Sequence, residues 1–104
     1  MVKAIYVVYR KEGMTREEFA AHWTQVHAPI ARKLPHMRSY TINPVVSSDY
    51  VEGTEADGFA VCVWDTMEDF EKAAASPEMA EANADAGTMA RHFDVYIVEE
   101  HTVL

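Results

Sequence analysis

The chain has 104 residues and a formal net charge of −8, with 49% hydrophobic and 25% charged residues. This length allows one domain, residues 1–104. The negative charge argues against binding to nucleic acid or to anionic membranes, whose phosphates would be repelled. We expect a cytoplasmic protein, because the N-terminal segment lacks the features of a signal peptide and no apolar run is long enough to cross a membrane.

Charge is divided unevenly along the chain. Residues 1–40 hold seven of the nine Lys and Arg but only three of the 17 acidic residues, and residues 41–104 hold the remainder. This asymmetry predicts that the two halves pack together with complementary charges.

The first predicted element is a strand over residues 3–9, whose side chains are apolar on both faces. A long helix follows it. Thr15 and Glu18 have the spacing of a capping box, which predicts where the helix begins. Apolar residues then recur at helical spacing and predict a buried face. These residues are Phe19, Trp23, Val26, Ile30 and Leu34.

Pro29 interrupts this helix, because it lacks the N–H that would bond the carbonyl of Gln25. We therefore expect a kink there. His27 lies one turn beyond Trp23, so its imidazole should point inward or along the boundary of the buried face. A histidine beside a kink is costly in a plain helix, which favours a functional interpretation.

The next predicted strand covers residues 37–45, and Pro44 makes it an edge strand. A polar loop follows, and then an apolar run over 59–64 that predicts a central strand. We expect Cys62, in this strand, to act as a small hydrophobic residue. Asp65 or Thr66 should cap a short helix. Its predicted inner side comprises Met67, Phe70 and Ala74.

Ser76 and Pro77 predict the start of a further helix, whose inner side is rich in alanine. That side comprises Met79, Ala82, Ala86 and Met89. Arg91 and His92 would fall in its last turn, where they suit the helix dipole. A last strand is predicted over 93–98.

The order β-α-β-β-α-β predicts an α+β, ferredoxin-like fold: one antiparallel sheet with both helices on one face. Strands that are apolar on both sides leave the other face of the sheet uncovered. A symmetric homodimer, in which two sheets meet face to face and enclose a barrel-like interior, would cover it.

Several motifs resemble the EthD family of dimeric α+β barrel proteins. They are R-K-E-G-M-T-R-E-E-F near the start, W-x-x-V-H-x-P at residues 23–29, Tyr40 thirteen positions after His27, and the later D-G-F-A, D-T-M-E-D-F and A-S-P-E segments. The likeness covers nearly the whole chain. The loop around residues 49–57 departs from the family, so the choice of substrate is not carried over.

The resemblance implies that His27 and Tyr40 are the acid and base groups, as in the related methylmuconolactone methylisomerase. Imidazole exchanges protons near neutral pH, and a phenol can donate to an oxyanion. A satisfied core histidine and a packing tyrosine are the alternatives. Trp23 and Tyr6 are further candidates for contacts with a substrate, as are Trp64 and Asn43, although core packing is favoured for Tyr6 and Trp64.

No metal site is predicted, since His22 and His27 should diverge on a helix and no H-E-x-x-H motif occurs. His22, His36 and His101 are interpreted as surface residues.

The functional hypothesis is an acid/base enzyme without a cofactor, an isomerase, dehydratase-type lyase or cyclase, acting on a small lactone, enol or cyclic ketone. One alternative is a protein that binds a small ligand without chemistry. The other is a cofactor-free oxygenase or haem-handling protein.

Overall fold

The structure, a computed structural model, describes residues 1–49 and 55–104. The elements are β1 (Val2–Arg10), α1 (Arg16–His22), a π-helical turn (Trp23–His27), α2 (Ala28–Ala31), β2 (Ser39–Pro44), β3 (Gly58–Trp64), α3 (Met67–Ala74), α4 (Pro77–Met89) and β4 (Ala90–Val98). The predicted order of strands and helices is confirmed. The predicted polar loop extends into residues 50–54, which lie outside the described residues.

The four strands form one sheet in the order β2-β3-β1-β4, and every neighbouring pair is antiparallel. Strand β3 is central, as expected from its continuous apolar run. Strand β2 is an edge strand that ends at Pro44, which confirms that prediction too. The fold is therefore α+β and ferredoxin-like.

None of the helices within the described ranges has the length and apolar character needed to cross a membrane.

The hydrophobic core lies between the helices and one face of the sheet. Alternate residues of the central strands point to this face, among them Ala4 and Val8 of β1 and Ala60, Cys62 and Trp64 of β3. The helical layer contributes large buried side chains, namely Phe19, Trp23, Leu34 and Met89. Each large side chain removed from water contributes about 1.5–3 kcal/mol, so burial at this interface stabilises the fold.

Side-chain caps begin the helices where the sequence predicts them. Thr15 Oγ1 accepts from the Glu18 N–H, and Glu18 Oε1 accepts from the Thr15 N–H, each at 3.1 Å. The backbone donor lowers the pKa of Glu18. Thr66, rather than Asp65, caps α3, and Ser76 caps α4 with Pro77 as the first helical residue.

The first helix departs from prediction at the π-helical turn, Trp23–His27, where the Ala28 N–H bonds the carbonyl of Trp23 five residues back. This turn holds one more residue than an α-helical turn, so the buried face advances by one position. Val26 was predicted to be buried but is 45% exposed. His27 and Ala31 take the inward positions that α-helical spacing assigns to Val26 and Ile30.

Two boundaries in the second helical region are also corrected. Helix α4 ends at Met89, so Arg91 and His92 belong to β4 and not to a last helical turn. In α3, Met67 is exposed and Ala73, not Ala74, is buried beneath Phe70. The cap at Thr66 starts α3 so that Ala73, rather than Ala74, points at the sheet.

The basic first half pairs with the acidic second half, as its charge asymmetry predicts. Pairs from the two halves are Lys3–Glu100, Arg10–Asp57, Arg16–Glu55, Lys33–Glu81 and Arg38–Asp65. Most are exposed, so solvent screening leaves each of them only a small contribution to stability. The Asp57 carboxylate is buried and accepts from the Arg10 backbone N–H at 2.9 Å and from its guanidinium at 3.0 Å, which fixes the segment that enters β3.

Candidate functional site

A cavity of about 70 Å³ lies between the helical layer and the sheet. Most of its lining is aliphatic or aromatic and comes from both layers. The groups in the lining that can exchange or share a proton are Tyr6, His27, Tyr40, Cys62 and Asn83. Two lining residues, Asn83 and Phe93, are exposed, so the cavity reaches the surface between α4 and β4.

His27 enters this cavity because of the π-helical turn that ends at it. Its side chain is only 13% exposed, and its Nδ1 lies 2.8 Å from Oδ2 of Asp85 on α4. The helix that carries His27 is thereby fixed to α4 by a polar contact next to the apolar packing. The other ring nitrogen, Nε2, makes no hydrogen bond to any of the described residues.

Asp85 is the residue of this site that the sequence interpretation missed. Its carboxylate also contacts His22 Nε2, at 3.1 Å from both oxygens. His22 is consequently half-buried and bonded, not the surface residue that was predicted. A signal was available: Asp85 is three residues after Ala82 and four before Met89, a spacing that puts it on the inner side of α4.

The convergence of the two histidines corrects the expectation that they diverge. In an α-helix, residues five apart point about 140° from each other. The π-helical turn winds five residues into one turn, which brings His22 and His27 to the same side. Within residues 1–49 and 55–104, no group of three or more His, Cys, Asp and Glu side chains has an arrangement that could hold a metal ion.

Tyr40 lines the same cavity as His27, from strand β2 across the space from the helix. Burial, and secondarily the neighbouring Cys62, raises the pKa of Tyr40 well above its usual value. Burial likewise raises the pKa of Tyr6 to about 12 and that of the Cys62 thiol to about 12. At neutral pH all three groups are protonated, so Tyr40 is a hydrogen-bond donor and Cys62 is not a thiolate nucleophile.

Trp23 forms one wall of the cavity and is 2% exposed. Its ring lies directly over Gly58, where a Cβ atom would be 2.1 Å from Cζ3 of the indole. Gly58, the first residue of β3, therefore leaves the space that the indole ring occupies.

The remaining predicted site residues lie elsewhere. Trp64 is fully buried beside Phe70, and its indole N–H donates to the carbonyl of Pro35 at 3.0 Å. Asn43 lies on the opposite face of the sheet, where its amide donates to the carbonyl of Phe59 at 3.0 Å. The structure thus brings together His27, Tyr40, Trp23 and Tyr6, but not Trp64 and Asn43.

The fold and this cavity define a ferredoxin-like protein with a histidine and a tyrosine facing one apolar space. The profile of the EthD domain matches residues 11–102. The chain therefore belongs to the EthD domain family, which confirms the resemblance noted from its motifs. A comparison with curated proteins finds no match.

Solved structures share the fold over nearly the full length. An ethyl tert-butyl ether D (EthD) family protein from Bacillus halodurans is 26% identical, with a TM-score of 0.81 over 97% of this chain and 99% of that one. A dimeric ferredoxin-like protein of unknown function from Thermobifida fusca is 12% identical, with a TM-score of 0.72 over 93% and 88%. SnoaB, a cofactor-independent oxygenase from Streptomyces nogalater, is 14% identical, with a TM-score of 0.71 over 99% and 95%.

Proposed function

We propose that the protein is a cofactor-independent acid/base enzyme that moves a proton on a small carbonyl compound: a lactone, an enol or a cyclic ketone. The observation that supports this most directly is that His27 and Tyr40 line one largely apolar cavity. His27 supplies a base, and the protonated Tyr40 supplies a donor for the oxygen that gains charge.

The reaction begins with the transfer of a proton from the carbon next to the carbonyl to Nε2 of His27. The electron pair of the broken C–H bond moves onto the carbonyl oxygen, and the Tyr40 hydroxyl donates a hydrogen bond to this oxyanion. Return of the proton from His27 to a different atom completes an isomerisation. Its delivery to a departing hydroxyl completes an elimination, in which the C–O bond breaks and water leaves. In a ring closure, the enolate carbon attacks a second carbonyl, and His27 gives its proton to the alkoxide that forms.

The size of the cavity bears on the substrate. Its volume, about 70 Å³, is half that of an engineered cavity of about 150 Å³ that binds benzene. A small ring would therefore enter with its reactive carbon between His27 and Tyr40, and its remainder would extend past Asn83 and Phe93 to the surface.

The test is the exchange of carbon-bound hydrogen for solvent deuterium, followed by NMR, across a panel of small lactones, enols and cyclic ketones. His27→Gln should lower the exchange rate about 10²- to 10⁴-fold, and Tyr40→Phe about 10²- to 10³-fold. His36→Gln, which changes an exposed histidine, is the matched control and should retain the wild-type rate. Exchange by His27→Gln at the wild-type rate would refute the assignment.

The two alternatives have their own outcomes in the same experiment. Saturable binding of panel compounds to the wild-type protein without exchange or turnover would favour a ligand-binding protein. Oxygen uptake with an enol or phenol, without added cofactor, would favour an oxygenase, the activity given for the structurally similar SnoaB.

We further propose that the protein works as a homodimer. The face of the sheet opposite the helices carries the apolar residues Ile5, Val7, Phe59, Val61 and Val63, and no helix within the described residues covers it. Similar structures are described as dimeric. The cytoplasmic location expected from the sequence stays a prediction.

A further inference from the structure

We infer that Asp85 is a positioning residue that holds His27 in the tautomer with a free Nε2, and that His22 holds the Asp85 carboxylate in place. The inference deepens the proposed function, because it concerns the base of that reaction. It stands on the geometry around Asp85, which can be tested without a substrate.

The carboxylate determines where the hydrogens lie. An ionised carboxylate can only accept, so each ring nitrogen that faces it must carry a hydrogen. His27 therefore donates from Nδ1 to Oδ2 of Asp85 at 2.8 Å, and His22 donates from Nε2 to both oxygens at 3.1 Å. A neutral imidazole carries one N–H, so Nε2 of His27 keeps its lone pair and can accept a proton.

The Asp85 carboxylate is itself restrained by His22, and Thr88 contacts His22 and the main chain of Asp85. His22 approaches from α1, one π-helical turn before His27, and Thr88 approaches from the next turn of α4. The Thr88 hydroxyl donates to the Asp85 carbonyl at 2.7 Å and lies 3.3 Å from Nε2 of His22. The side chain of Asp85 is only 13% exposed, so water competes weakly for its oxygens.

This arrangement gives the π-helical turn a role in the site. The turn places His27 toward the cavity and also aligns His22 with it, so that one carboxylate receives both rings. With the wrong tautomer, His27 would present an N–H to the substrate and could not act as a base. Asp85 thus acts through His27 and need not touch the substrate.

The experiment measures the tautomer of each imidazole by long-range ¹H–¹⁵N NMR on protein labelled with ¹⁵N-histidine, at a pH of about 8.5, where imidazoles are neutral. Resonances are assigned with His27→Gln and His22→Gln. In the wild-type protein we expect His27 with hydrogen on Nδ1 and none on Nε2. In Asp85→Ala, Nδ1 loses the carboxylate that accepts from it, and we expect the Nδ1–H form to lose its predominance.

Glu81→Gln, an exposed change on the same helix, is the control and should leave the His27 tautomer unaltered, as should His22→Gln, whose amide can still donate to Asp85. A backbone amide spectrum of Asp85→Ala close to that of the wild-type protein would show that it folds. A wild-type His27 with hydrogen on Nε2, or an Asp85→Ala spectrum in which His27 keeps the Nδ1–H form as fully as the wild-type protein, would overturn the inference.

The same variant separates this inference from the proposed function. Once a substrate is known, Asp85→Ala should lower kcat at least about tenfold with little change in KM. The expected tautomer in a protein that catalyses no exchange would support the role of Asp85 and refute the acid/base function.

Discussion

Three weakly acidic side chains, Tyr6, Tyr40 and Cys62, share the helix-facing side of the sheet. Burial is the main reason why the pKa of each is raised, and their proximity adds to it, because a charge on Cys62 would oppose ionisation of either phenol. In the folded protein these groups stay neutral to higher pH than in the unfolded chain. Stability should therefore depend on alkaline pH in a way that can be assigned to single residues.

Tyr6 offers the clearest test. Its pKa is about 12 in the folded protein against 10.0 for an ordinary tyrosine, so the folded state holds the proton more tightly. Its contribution to stability is fully present below about pH 10 and is lost as pH rises toward 12. Tyr6→Phe should therefore show a shallower fall in the free energy of unfolding between pH 10 and 12, measured by urea denaturation.

The control for this measurement is the same pair of curves between pH 7 and 9. There the difference between Tyr6→Phe and the wild-type protein should be constant, because the Tyr6 phenol keeps its proton in both states. A Tyr6→Phe curve that stays parallel to the wild-type curve between pH 10 and 12 would mean that the Tyr6 phenol ionises equally in both states.

At the scale of elements, two glycines predict opposite effects of the same substitution. In β3, a Cβ on Gly58 would lie 2.1 Å from the Trp23 indole, so Gly58→Ala should displace that ring and cost about 1–3 kcal/mol. In α4, a Cβ on Gly87 meets nothing within 4 Å, and Gly87→Ala should stabilise the helix by about 0.5–1 kcal/mol. Chemical denaturation measures both.

The two outcomes check each other. Destabilisation by both substitutions would show that the helix does not tolerate a methyl group at position 87. A neutral Gly58→Ala would show that Trp23 can move aside, and the cavity wall would then be adaptable. We expect Gly58→Ala to weaken ligand binding as well, because the displaced ring would occupy the cavity.

Helix starts were predictable because they depend on local chemistry. The caps at Thr15 and Ser76 bond backbone N–H groups only three residues away, so the sequence around each cap is enough to predict where the helix begins. The π-helical turn was not predictable, because Pro29 can be accommodated by a kink or by an extra residue. Tertiary packing of Phe19 and Trp23 on the sheet decides between them, and Val26 was misassigned as a result.

At the scale of the whole molecule, the open face of the sheet predicts how the protein associates. Val61 lies in the middle of this face, paired with Ile5 of β1 and Thr41 of β2. Val61→Glu would bury a carboxylate without a partner in a dimer interface, a cost of several kcal/mol. We expect the wild-type protein to sediment as a dimer and Val61→Glu as a single chain.

Ala84→Glu, on the exposed side of α4, is the matched control and should remain dimeric. A wild-type protein that sediments as a single chain would refute the proposed homodimer. A dimeric Val61→Glu would show that the two copies meet through another surface.

The sequence predicted only some of the residues of the candidate site, because the site forms where the helices pack on the sheet. His27 and Tyr40 could be named from their motif, and both line the cavity. Asp85 could not, because its role depends on how α4 docks against the first helix across 58 residues of chain.

Trp64 and Asn43 were named wrongly for two different reasons. Trp64 is on the helix-facing side of β3 but packs beside Phe70, away from the cavity. Asn43 alternates with Tyr40 and Ile42 along β2 and therefore lies on the other face of the sheet.

The additional residue in the turn from Trp23 to His27 separates the residues that pack the first helix on the sheet from the residue that faces the cavity. The part before it is tied to the core by Phe19 and Trp23, and the part after it by Ala31 and Leu34. Loss of one residue from this turn would restore α-helical spacing and change the direction of the imidazole, while both flanking contacts persist. The direction of the imidazole is thus separable from the packing that holds the helix on the sheet.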